Sequence, residues 1–114
     1  MIEETVLAFL ENATGIQTFA ERPKNPPAEY LLIERTGGGY ENYINRATIA
    51  VQSYADSLYR AAQMNLRVEK AMRSIDELMN VSKCLLNSSY NWTDTESKKY
   101  RYQAVFDIIY MEGD

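Results

Sequence analysis

Three consecutive glycines, Gly37, Gly38 and Gly39, follow an apolar run in the stretch IERTGGGYEN. Glycine-rich connections after strands are places where backbone amides cradle phosphates. A P-loop, however, needs four residues between its first glycine and a Gly-Lys-Ser/Thr, because a lysine must reach the outer phosphates and a hydroxyl must hold magnesium. Here Tyr40, Glu41 and Asn42 come next, and the Glu41 carboxylate would repel a phosphate. A dinucleotide fingerprint fails as well, since it requires a helix after the glycines and residues 43–54 have the composition of a strand. The glycines are therefore read as a flexible hairpin turn that uses their freedom at positive φ.

The other chemistry-bearing residues form no spaced constellation. The chain has no histidine, which removes the commonest general base and the commonest transition-metal ligand. Cys84 is the one cysteine. It has no histidine to activate it, and it alternates with apolar neighbours as a small hydrophobe does. The carboxylates of Asp56, Asp76, Glu77, Asp94, Glu96 and Asp107 are scattered. No catalysis, no cofactor and no metal is expected. Tyrosine, by contrast, is abundant at 9 of 114 residues, and it suits interfaces because it buries much area while its hydroxyl stays wet. That balance favours assembly over catalysis.

The elements that must carry these residues follow from periodicity. Ile2, Val6, Phe9, Leu10 and Ala13 recur at helical spacing, with early glutamates suited to a helix N-terminus and Gly15 as a stop. Residues 16–20 suit a short strand. Pro23, Pro26 and Pro27 then make residues 22–28 a loop. Residues 29–36 and 43–54 read as two strands of a hairpin. Over residues 55–79, Ala61, Met64, Val68, Ala71, Met72, Ile75 and Met79 line one helical stripe, with Asp56 or Ser57 as N-cap. Residues 82–92 and 100–111 form a second hairpin, with Tyr100, Tyr102, Ala104, Phe106, Ile108 and Tyr110 on one face. The expected fold is a single α+β domain over residues 1–114, in the order α-β-β-β-α-β-β. Its mainly antiparallel sheet of four to five strands carries the N-terminal helix and one long helix on one face.

Net charge is −4, opposite in sign to the basic surplus of a nucleic-acid binder, so no specific nucleic-acid partner is expected. No apolar run approaches the ~20 residues that span a bilayer, and the acidic N-terminus is unlike a secretory signal. No membrane partner is expected.

The run LLIERTGGGYENYINRATIAVQSYADSLYRAAQMNLRVEKAM, with the later YQAVFD of residues 102–107, resembles the small tail-terminator or tail-completion (minor tail) proteins of long-tailed bacteriophages and prophages of Gram-positive bacteria. The likeness spans residues 29–111 and rests on structural motifs. It implies an α+β subunit without enzymatic activity or cofactor that self-associates into a ring, typically a hexamer. Such a ring is part of the virion tail, assembled in the host cytoplasm. It caps the head-proximal end of the tail tube, ending tube polymerisation and forming the surface for head-tail joining, so its partners are the tail tube protein and the head-tail connector protein. Two exposed connections are the candidate contact elements, both expected to be disordered until a partner orders them. One is the hairpin connection with Gly37, Gly38, Gly39, Tyr40, Asn42 and Tyr43. The other is the proline-rich loop with Arg22 and Lys24. The competing readings are a different phage neck or head-completion protein, and a small dimeric α+β ligand-binding domain with a tyrosine-lined cleft.

Overall fold

Ile2, Val6, Leu10 and Thr14 form the buried stripe of helix α1 (Ile2–Thr14), which carries Glu3 and Glu4 in its first turn. Gly15 ends it in the left-handed region (φ 72°), its N–H donating to the Glu11 carbonyl. The structure, a computed structural model, describes residues 1–111; the last three residues of the expected domain span lie outside the described residues. Next come β1 (Thr18–Phe19), β2 (Tyr30–Glu41), β3 (Ile44–Ala55), helix α2 (Leu58–Met72), a 3₁₀ turn (Ile75–Glu77), β4 (Val81–Asn91) and β5 (Tyr100–Tyr110). The strands form one sheet in the order β1-β2-β3-β5-β4. Only the two-residue β1 runs parallel to its neighbour, pairing with Leu31 and Leu32. This is the α+β order that periodicity implied.

Both helices pack on one face. Leu31, Ile33, Ala47, Ile49, Val51, Ala104, Phe106 and Ile108 meet the α1 stripe and Ala61, Met64, Val68 and Met72 of α2. Each fully buried aliphatic side chain in this layer contributes ~1.5–3 kcal/mol relative to exposure. Helix α2 starts where Ser57 Oγ accepts the Arg60 N–H at 3.1 Å, which selects Ser57 over Asp56 as the cap. It ends earlier than its apolar stripe does. Ile75 is still buried, but in the 3₁₀ turn, and Leu78 is extended. Met79, expected on the buried stripe, is fully exposed (100%), because the chain has already turned toward β4, with the Val81 N–H donating to the Leu78 carbonyl. Asn65, expected off the stripe, is buried and donates to Ser89 Oγ at 2.8 Å and to Glu69 at 3.2 Å.

The first hairpin departs from expectation in one detail that matters for the site. The glycines are not its turn. Gly37, Gly38 and Gly39 lie inside β2, opposite Thr48, Ala47 and Arg46, and the ladder runs on to Glu41 opposite Ile44. The turn is Asn42–Tyr43, both at positive φ (51° and 66°), the two-residue connection whose twist matches antiparallel strands. The glycines serve a bulge instead, with the register shifting between Arg35 and Gly37. Arg35 folds back across it, Nε donating to the Gly37 carbonyl at 3.1 Å and Nη2 to the Arg46 carbonyl at 3.2 Å. A Cβ on Gly38 would sit 2.3 Å from the Arg46 carbonyl oxygen and 2.6 Å from Arg35 Nη2, at φ 139°. Only glycine fits there.

Candidate functional site

The two candidate contact elements stand at opposite ends of the sheet. Tyr54 pairs with Tyr30 beside the proline loop, while Ile44, at the other end of β3, adjoins the Asn42–Tyr43 turn. At the rise of an antiparallel strand these ends are roughly 30 Å apart. The structure therefore brings Gly37, Gly38, Gly39, Tyr40, Asn42 and Tyr43 together as one group, and Arg22 and Lys24 as another.

At the turn end, the aromatic side chains project into solvent. Tyr43 is 89% exposed and Tyr40 63% exposed. Their rings meet edge to face, with centroids 6.5 Å apart and an interplanar angle of 89°. Glu41 and Ile44 beside them are also exposed. This hairpin was expected to be a flexible loop, yet it is laddered to its last residue pair, so the tip is a finger with an aromatic end.

At the other end, the helix-free face of the sheet carries a chain of hydrogen bonds. Arg22 Nη2 and Arg101 Nη1 each donate to the Tyr54 hydroxyl at 3.1 Å. That hydroxyl donates to Gln52 Oε1 at 3.1 Å, and Gln52 Nε2 donates to Gln103 Oε1 at 3.0 Å. Gln103 Nε2 in turn donates to the Tyr90 hydroxyl. Gln52 and Gln103 are only 3% and 8% exposed although no helix covers them, because the surrounding side chains do so. Tyr54 stacks flat on Tyr30, centroids 4.6 Å apart, and the Arg101 guanidinium lies 4.1 Å from the centre of the Trp92 ring. Burial pushes the Tyr30 phenol above its ordinary value, and the hydrogen bond to the Tyr54 hydroxyl pushes Arg22 up. Within the proline loop, Arg22 is tied to the sheet by Tyr54. Lys24, Lys98, Lys99 and Arg22 share a concavity of about 430 Å³ with Pro23, Pro26 and Asp56.

Two more concavities open to solvent. One, of about 450 Å³, lies between Gly38, Arg46, Lys83, Leu85 and Asp107. There Asp107 is occupied, accepting from Thr48 Oγ1 at 3.0 Å and from Asn87 Nδ2 at 2.9 Å. The other, of about 390 Å³, is a groove between α1 and α2 lined by Phe9, Ala13, Arg67, Lys70 and Ala71. Cys84 is half-buried. Burial, reinforced by Asp76 and Asp107, pushes its thiol up to about 11, so it is protonated at neutral pH and a poor nucleophile.

Sequence reasoning missed Trp92, Arg101, Gln52 and Gln103 as a set. The available signal was polar Arg101 and Gln103 alternating with the apolar face of β5. It missed the α1–α2 groove entirely, since Phe9 and Ala13 read as core positions.

No family model and no curated protein matches this sequence. Among solved structures, the chain is similar to one in the virion of a native gene transfer agent particle, with a TM-score of 0.51 and 9% sequence identity. The alignment covers 90% of this chain and 84% of that one, so the whole α+β architecture is shared.

Proposed function

We propose that the chain is a structural protein of a phage-like virion, and that it caps the head-proximal end of the tail tube as a self-associated ring, non-enzymatic and free of cofactors. The observation that carries this reading is the fold shared, over nearly the full length of both chains, with a chain of the gene transfer agent virion. The resemblance of residues 29–111 to tail-terminator proteins of Gram-positive phages and prophages narrows it to the tail. The aromatic hairpin end, an exposed group of the type enriched at interfaces, supplies a contact surface. In this reading the ring ends tube polymerisation with one face and offers the other to the head-tail connector, in the virion tail assembled in the host cytoplasm.

Deleting the gene in a producing phage or prophage tests it. Tails of irregular, excessive length that carry no heads, corrected by a plasmid copy, are the expected result. Normal-length tails that merely fail to join filled heads would replace capping with a head-completion role. Normal infectious particles would overturn the reading.

A further inference from the structure

The hairpin end contains a local contradiction. The second position of its two-residue turn requires a positive φ, a conformation in which glycine and asparagine are comfortable and a bulky side chain is strained. Asn42 satisfies this requirement at the first position, but the second is Tyr43, at φ 66° and 89% exposed. Among the described residues nothing repays the strain: the aromatic neighbour is Tyr40, itself exposed. A strained, exposed aromatic on a rigid two-strand finger is a side chain retained for what it touches elsewhere.

We infer that Tyr43 is the anchor of a contact between copies of this chain, and that it seats in the groove between α1 and α2 of the neighbouring copy. The groove offers about 390 Å³, within the ~300–1,000 Å³ range of cavities that enclose small ligands, so one aromatic ring enters it. Phe9, Ala13 and Ala71 give it an apolar lining, and Arg67 and Lys70 place two cations there. Neither cation has a carboxylate within salt-bridge distance among the described residues; Arg67 donates to the Thr14 carbonyl, and Lys70 is the cation left to meet an incoming charge. Glu41, two residues before Tyr43, supplies the opposite charge, and the cations also favour an aromatic face. The other two concavities fit less well. One has Gly38 and Gly39 of the hairpin itself as a wall, so it moves with the finger and lies at the same end of the sheet. The other has a more polar lining than the groove. The finger leaves one end of the sheet, whereas the groove lies in the helix layer. Finger into groove is thus a head-to-tail contact between unlike patches, the kind that closes rings.

This inference rests on the self-association proposed above. Its test places a photo-crosslinking amino acid at position 43 in producing cells, so that tail tubes are present, and maps the crosslinks in purified particles. Chain-to-chain crosslinks into residues 9–14 and 67–74 are expected. Tyr43→Gly is expected to leave the melting temperature of the free subunit unchanged or raised, since glycine relieves the turn, while cutting incorporation into particles at least tenfold. Glu41→Lys and Lys70→Glu should each weaken incorporation, and mixing the two variants should restore it. Crosslinks into another region of a neighbouring copy, or normal incorporation of Tyr43→Gly, would overturn this contact and leave the ring standing. Absence of the protein from particles would overturn the ring and this contact together.

Discussion

The two ends of the sheet are ordered by opposite means. At the turn end, backbone conformation does the work: a glycine that admits no side chain, a bulge, and a two-residue turn at positive φ. At the proline-loop end, side chains do it, through two arginines, two glutamines and two tyrosines linked by hydrogen bonds. The consequence for function is direct. An end shaped by its backbone leaves its side chains unoccupied, and Tyr40, Glu41 and Tyr43 face outward. An end shaped by side chains has committed most of its polar atoms to itself and presents a preformed, rigid surface.

That contrast breaks most visibly at Gly38. Gly38→Ala forces a Cβ against the Arg46 carbonyl at a φ closed to L-residues, and is expected to cost about 2–3 kcal/mol. Gly39→Ala, with nothing within 4 Å of its added Cβ, should stay within ~0.5 kcal/mol of wild type. Chemical denaturation of the two variants checks the pair. Equal losses would mean that the glycines act through chain flexibility, not through the bulge.

The opposite end should yield to loss of a single oxygen. Tyr54→Phe keeps the stack on Tyr30 and removes the hydroxyl that accepts from two arginines and donates to Gln52. The arginines reach solvent, but Gln52 Oε1 is buried and loses that donor. The expected cost is about 1–2 kcal/mol. The same removal at the turn end, Tyr43→Phe, should leave the free subunit unaffected, because its hydroxyl makes no hydrogen bond among the described residues and its ring is 89% exposed. A measurable loss in Tyr43→Phe would erase the distinction between the ends.

What was legible in the sequence divides along the same line. Element order, the helix faces and the alternation of β5 were readable because apolar periodicity reflects which face is buried, and a single deep core rewards it. The glycine turn was misread because composition marks where a backbone needs freedom without saying whether the cause is a turn or a bulge. Asn42–Tyr43 carries only half of the usual turn signal, tyrosine standing where glycine is favoured. The early end of α2 was invisible for a related reason: Met79 continues the stripe in sequence although the chain has turned away. The Gln52–Gln103–Tyr90 chain joins residues 52, 103 and 90, and pairing register, which periodicity does not encode, brings them together.

The smallest effect belongs to the ion pair beside the proline-loop end. Arg60 grips Glu29 with two bonds, Nε to Oε2 at 2.5 Å and Nη2 to Oε1 at 3.1 Å, and these hold the Glu29 carboxyl below its ordinary value of 4.5. A carboxyl whose folded value is depressed stabilises the fold fully above its unfolded value, and the contribution disappears as pH falls through the folded one. The pair sits at the surface, where solvent screens it, so the contribution is small. Melting temperatures of wild type and Glu29→Gln should therefore differ slightly near neutral pH and converge as the pH falls below the ordinary value of 4.5. A gap between wild type and Glu29→Gln that does not close on acidification would mean that Glu29 and Arg60 act through the packing of their side chains and not through charge.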